Sequence, residues 1–489
     1  MKSSFNYNRR LSGGKVILSV CTLILLLGTT ACKKDFLTVV PKGSLIAQNT
    51  NDYSDMLNSQ NLYAFITTTD QVIMSPEVCA IEPYYTAASL AEKRAFNWEA
   101  DLYEPTDDMN EITSFMSKIY IYNKIINEVL SSTGGTDAEK ASLQAEAYAG
   151  RAWCYFQLIN YFGKPYNAAT AATDPGYPIV TAADVTATSF DRASVQQVYD
   201  FILQDLNHAI PVLPAALTTS IRMTKGAAEA MLGKVYVFMG KYTDALTQLN
   251  AAFTDFGSSQ IPLGLYDYNV TTLPGGVNMP TQVGPARTPL GYNMEEAFSK
   301  ELVQRYSYIL NTILIGPETS ALYGPTDLRL TAFYTQSAFF AAPFGIPGVY
   351  RRTGVLYDPI GVFMPDVYLL RAECKARTND LAGAIADVET LRKNRMPANV
   401  VSVPAGLTQT DLIKFIIDEG TREFAVFGYN WFTIRRLSLD PIFAGKVYTH
   451  KVYNADGTVE QTFTLTPERM VLRFNQKIML QNPGWTNNP

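Results

Sequence analysis

Residues able to do chemistry are thinly spread along this chain. Two histidines occur, His208 and His450, far apart in sequence. A His-based zinc site or a Ser-His-Asp triad has little to draw on. Beyond the N-terminal region three cysteines remain, Cys79, Cys154 and Cys374. They are scattered, an odd number cannot all pair, and no CxxC knuckle is present. Nothing among the 45 acidic residues marks the two facing carboxylates of a glycoside hydrolase, which stand ~5–5.5 Å or ~6.5–9.5 Å apart. No enzyme activity, catalytic residue, metal site or cofactor is therefore expected. One thiol is placed for other chemistry: Cys32 closes the stretch LLLGTTAC, directly ahead of Lys33 and Lys34.

The elements around Cys32 explain its placing. Lys2, Arg9, Arg10 and Lys15 make a positive start without an acidic residue, and VILSVCTLILLL follows from Val16 to Leu27. About a dozen apolar residues is too short for a helical span, which needs about 20, and fits a secretory signal. Small residues followed by Cys resemble the lipobox of bacterial lipoproteins. That resemblance implies a signal peptide over 1–31, cleavage between Ala31 and Cys32, and a lipid on the Cys32 sulfur. Acyl chains contribute roughly 0.8 kcal/mol per buried methylene, so several chains hold a protein without a spanning helix. Lys33 and Lys34 replace the aspartate of an inner-membrane retention signal, which favours the outer membrane. Loss of 1–31 removes four basic residues and takes the net charge from −5 to −9. An acidic chain without basic runs argues against a nucleic-acid partner.

Downstream, helical periodicity dominates. Thr136 with Glu139 and Ser194 with Gln197 read as capping boxes that open amphipathic helices, closed by Gly163 with Pro165 and by Pro211. Leu232, Gly233, Tyr236, Gly240, Tyr242 and Ala245 follow the tetratricopeptide pattern L-G-x2-Y-x3-G-x-Y-x2-A. Gly233 and Ala245 would let two helices approach, Tyr236 and Tyr242 would fill the space between them, and Gly240 would permit the turn. A degenerate copy starts at Leu369, with Ala372, Leu381 and Ala384 in comparable places and no glycines. Between the helical parts, Gly257–Gly361 is rich in Gly, Pro, Thr, Asn and aromatics. A second loop-rich zone runs from Phe65 to Pro105. Loops this long are functional or disordered, and their aromatic content argues against disorder. Asp456-Gly457 marks a hairpin. The expected fold is mainly α: tetratricopeptide-like helix pairs form a scaffold over about 104–256 and 363–440. Long aromatic-rich loops include an insert over about 257–362, and hairpin content is small. Residues 32–489 are taken as a single domain.

Six fragments in order resemble the SusD/RagB-like outer-membrane nutrient-binding lipoproteins: CKKDFLTVVPKG, AEAYAGRAWCYFQLINYFG, DPGYPIV…FDRASVQQVYDFILQDLNHAIPVLP, TKGAAEAMLGKVYVFMGKYTDAL, PDVYLLRAECKARTND and DEGTREFAVFGYNWFTIRRL. In the last, Glu419, Arg422, Glu423, Gly428 and Trp431 keep the family pattern, while Asn430 and Thr433 replace an Arg and an Asp. Glu419, Arg422 and Glu423 share a helix face and read as structural ion pairs rather than catalysts. The resemblance implies a surface lipoprotein, facing the cell exterior, that captures a glycan or another nutrient. It would deliver that ligand to a SusC-like TonB-dependent transporter, with the helical face on the barrel and the loops holding the ligand.

A sugar site wants rigid exposed rings for stacking and polar groups for hydroxyls. The first loop zone supplies Asp70, Tyr84, Tyr85, Trp98 and Tyr103; the insert supplies Tyr292, Tyr323, Tyr334, Phe339 and Phe340. Trp98 is the foremost single candidate. Trp153, on a helical stripe, reads as packing. Arg351 and Arg352 read as a solvated turn, with an acid clamp as the alternative.

Overall fold

The computed structural model describes residues 47–65, 70–187, 189–281, 291–303, 311–339, 341–353 and 357–489. The chain divides into two units, 1–48 and 49–489. The signal segment and Cys32 lie outside the described residues.

Among the described residues nine longer helices carry the second unit: α1 Asn110–Glu128, α2 Asp137–Phe162, α3 Val195–Ala209, α4 Lys225–Phe238, α5 Tyr242–Phe256, α6 Met364–Arg377, α7 Leu381–Arg392, α8 Gln409–Phe424 and α9 Tyr429–Leu437. Neighbours in sequence pack as neighbours in space: α2 lies between α1 and α3, α5 between α4 and α6, and α6 against α7 and α8. Both capping boxes form. The Thr136 N–H donates to Glu139 Oε2 at 2.7 Å and the Ser194 N–H to Gln197 Oε1 at 2.8 Å. From Ala145 to Phe162, α2 is buried on nearly every side, including Trp153, as expected of a helix enclosed by others. Trp153 donates its indole N–H to Ile360 O at 3.3 Å and is packing, as its stripe implies.

The tetratricopeptide pattern falls on α4 and α5. A Cβ at Gly233 would stand 2.7 Å from Leu249 Cγ, so only glycine permits this approach. Gly240 turns at φ +72°. The tyrosines depart from expectation. The Arg377 guanidinium of α6 lies 4.4 Å from the Tyr242 ring, so Tyr242 joins this pair to the next one. Lys241 lies 5.9 Å from Tyr236. In the degenerate copy, α6 and α7, Ala372 and Ala384 are fully buried. Asn379 takes the left-handed turn at φ +70° where the first copy has glycine, a conformation Asn tolerates better than other side chains.

Chain segments far apart in sequence meet in one six-stranded sheet. Its strands are β1 Val78–Ile81, β2 Leu314–Ile315, β3 Tyr334–Thr335, β4 Tyr350–Arg352, β5 Thr449–Tyr453 and β6 Val459–Thr464, in the order β6-β5-β1-β2-β4-β3. β5 pairs parallel with β1, Val452 opposite Ala80; β1 pairs antiparallel with β2, Val78 opposite Ile315. Gly457, at φ +84°, turns the β5–β6 hairpin. The first loop zone, the insert and the C-terminal hairpin thus share a backbone ladder. Arg351 and Arg352 are buried on β4 and form neither a solvated turn nor an exposed clamp. Arg351 donates to Ser337 O at 3.1 Å, and Arg352 pairs with Asp358.

Candidate functional site

Beneath the loops, Cys79, Ile81, Leu314, Ile346, Val349 and Tyr453 make a buried apolar cluster drawn from three of the strands and the approach to β4. Half-buried Tyr84 and Phe344 pack over it, edge to face, with centroids 6.4 Å apart and planes at 84°. One ring comes from each loop zone. Beside them Tyr85 donates its hydroxyl to Asn97 Oδ1 at 2.9 Å. Its ring lies 5.6 Å from Phe96 and 6.3 Å from Phe463 of the hairpin. Burial pushes the Tyr85 phenol up. Ile73, Tyr85, Glu92, Lys93, Phe96 and Thr312 line a groove here. The arrangement is a rigid aromatic face with polar groups at its edge, suited to stacking on flat apolar surfaces of a ligand.

The foremost candidate is not on that face. Trp98 is 3% exposed, holds a left-handed backbone at φ +54°, and donates its indole N–H to Met74 O at 2.9 Å. Its ring stacks on His450 at 3.7 Å, with Phe96 on the imidazole at 4.6 Å. The His450 nitrogens lie 2.6 Å from Phe96 O and 2.7 Å from Ser75 O. Burial draws this imidazole down to about 4, against the two carbonyls, which favour the protonated ring. Trp98 is therefore a core ring that fixes the floor. Tyr323 and Tyr334 are also buried. They donate to Arg422 O and Ala425 O at 2.7 and 2.8 Å and tie the insert to the end of α8.

Asp70 and Tyr103 come together, but with each other. The Tyr103 hydroxyl lies 2.9 Å from Asp70 Oδ2 and 2.6 Å from Glu111 Oε2. Burial raises Asp70 and holds Glu111 well above the usual carboxylate range. One phenolic proton cannot serve two ionised carboxylates, so this pair retains a proton of its own. Phe339 is half-buried, with the Arg351 guanidinium 5.5 Å from its ring. Tyr292 is 67% exposed, on a segment held by the Ser220 N–H to Gly291 O and away from the sheet. Phe340 lies outside the described residues. Phe344, Phe463 and Tyr453 are not candidates from the sequence, and His450 enters there only as one of two histidines; the Pro-Gly-flanked aromatic in APFGIPG offers a signal for Phe344.

The charges on α8 that keep the family pattern are internal. Arg329 reaches Asp327 at 2.6 Å, Glu419 at 2.7 Å and Glu423 at 2.9 Å. Arg395 joins Glu423 to Glu295, and Arg422 and Arg392 each meet Glu419 at 2.8 Å. Burial alone would raise Glu419, but Arg329, Arg422 and Arg392 together hold it far below the carboxylate range. A carboxylate so fully compensated is an anchor, not a proton donor.

Comparison with known proteins bears on this architecture. Residues 35–237 match a family model described as SusD-like, starch-binding and associating with the outer membrane, and 364–485 match the SusD family model. The chain belongs to the SusD/RagB family. It is a SusD-like carbohydrate-binding protein associated with the outer membrane, and proteins of this family are non-catalytic. SusD-like protein P2 of Formosa agariphila is 22% identical, over 79% of this chain and 83% of that protein. A SusD superfamily protein of Bacteroides thetaiotaomicron shares the fold at TM-score 0.70 and 17% identity, covering 90% of this chain and all of the other. A laminarin-binding SusD-like protein matches at TM-score 0.60 and 17% identity, covering 90% of this chain and 99% of the other. The mainly helical fold expected from the sequence is the SusD fold.

Proposed function

We propose that this protein is a surface nutrient receptor that captures a glycan on the Tyr84–Tyr85–Phe344 face and delivers it to a SusC-like TonB-dependent transporter. The observation that carries the reading is the meeting of both loop zones in one sheet, with a ring from each standing half-exposed over the buried cluster. Preorganised rings lose little side-chain entropy on binding, so a few of them suffice for a polysaccharide. Phe339 extends the same set. Residues 1–31 serve as the signal peptide, and acylated Cys32 tethers the single domain that follows at the exterior surface of the outer membrane. The helix pairs meet the barrel and the loops face the ligand. Laminarin and starch are the first probes, following the family model and the laminarin-binding structural neighbour.

Two measurements test this. Electrophoresis through native gels containing laminarin or starch should retard the protein; unchanged mobility in every polysaccharide gel would overturn capture. Affinity purification of the full-length protein from its own outer membrane should bring a TonB-dependent transporter with it. A Cys32→Ser form should leave the membrane fraction.

A further inference from the structure

A cleft of about 300 Å³ opens beside β1 and β5, next to the apolar cluster. Cys79 and Tyr453 serve both, as part of the apolar cluster and of the cleft lining. The remaining walls come from the C-terminal half of α8, from α9 and from the segment entering β5. Its size sits at the lower end of small-molecule pockets.

Polar groups in this cleft lack partners. Glu77 is 3% and Asn430 5% exposed, and both line it. Glu77 Oε1 accepts the Val426 N–H at 3.1 Å, while Glu77 Oε2 and Asn430 Nδ2 make no close hydrogen bond, with Asn430 and Ser75 near enough only to favour the ionised Glu77 against its burial. Buried polar atoms left unpaired are uncommon and costly. Burial raises Glu77 to about 7. Asp418 also lines the cleft and is raised by its burial, which outweighs the opposing fields of Lys446 and Arg422. Tyr448 presents a ring, with Lys446 5.3 Å from its centre. Lys451 and Glu318, both cleft residues, pair with each other.

Charge decides the class of occupant. The carboxylates of Glu318 and Asp418 disfavour an anion. Lys446 and Lys451 disfavour a simple cation. What remains is a neutral molecule with many hydroxyls, donating to Asp418 and Glu77, accepting from Asn430, and laying a C–H face on Tyr448. We propose that this cleft is a second, polar subsite that takes one or two neutral sugar rings, separate from the aromatic face that grips the polymer. The choice of sugar rests on the glycan-binding reading above; the cleft and its unpaired groups do not.

The test uses full-length protein in detergent, with glucose, maltose, laminaribiose and N-acetylglucosamine as probes in calorimetric titrations, and laminarin and starch gels for polymer. At least one short sugar should bind. Asp418→Asn should weaken it about tenfold, the scale of one lost hydrogen bond to a charged group, and Tyr448→Ala severalfold, while gel retardation stays within twofold of wild type. Tyr84→Ala combined with Phe344→Ala should do the reverse. Matching thermal melts of the variants would show that each is folded. Polymer retention without binding of any of the four sugars would overturn the subsite and leave the receptor reading standing. Short-sugar binding that is indifferent to Asp418→Asn would overturn the subsite as well. Loss of polymer retention in wild type, with Asp418-dependent sugar binding intact, would overturn the receptor face alone.

Discussion

Glu419 in the helical scaffold and Glu77 beside the loop-built sheet are both buried carboxylates, and their surroundings treat them oppositely. Near α8, Glu419 is met by three arginines, and Glu373 on α6 by two, Arg377 and Arg436. Burial would raise Glu373, but Arg436 and Arg377 hold it at about 2. Beside the sheet, Glu77 has no such cation among the described residues, and burial raises it instead. Charged pairs near α8 and on α6 fix helix positions, and the sheet region carries Glu77 and the half-exposed rings of the proposed ligand face. Rigidity and recognition are thus divided between the two regions, and that division can be broken by mutation.

The largest effect is expected in the scaffold. Arg329→Met leaves Asp327, Glu419 and Glu423 without their shared cation. Removing one partner of a buried ion network costs about 3–5 kcal/mol, readable as a lower urea midpoint. If Arg329→Met is neutral, the anchor role is wrong. Next, Trp98→Ala should cost about 3 kcal/mol, as for other buried aromatics, whereas Tyr84→Ala, half-exposed, should cost under about 1 kcal/mol. Equal losses would erase the distinction between core ring and surface ring.

Titration sharpens the comparison. Glu77 has a native pKa of about 7, above its ordinary 4.5. The native state therefore holds its proton longer than the unfolded chain, so its stabilisation is complete below about pH 4.5 and is lost as pH rises toward 7. Glu373, at about 2, works the other way: its stabilisation is present above 4.5 and disappears as pH falls toward 2. Unfolding followed from pH 3 to 8 should show both limbs. Glu77→Gln should flatten the upper one by about 3 kcal/mol, and an unchanged upper limb would refute the protonated acid. The smallest effect compares the two helix-pair turns. Gly240→Ala should cost about 1 kcal/mol, and Asn379→Gly should gain a few tenths.

Much of the scaffold was legible because local rules govern it. The capping boxes at Thr136 and Ser194, the Gly233 approach and the Asp456-Gly457 turn each depend on residues a few positions apart. The site was less legible because its geometry is non-local. Val452 meets Ala80 across most of the chain length, and no periodicity reports such a pairing. Both loop zones were recognisable by composition, yet composition cannot separate a Trp98 that stacks on His450 from a Tyr84 that faces outward. Asn379 shows the same limit on a small scale: it performs a glycine's turn without being one.

The central claim is that Tyr84 and Phe344 together grip polysaccharide. Retardation of wild type and of the Tyr84→Ala, Phe344→Ala double variant in laminarin and starch gels tests it most directly. The account predicts strong retardation for the wild type and free migration for a double variant that still melts cooperatively. Equal retardation of the two proteins would contradict it.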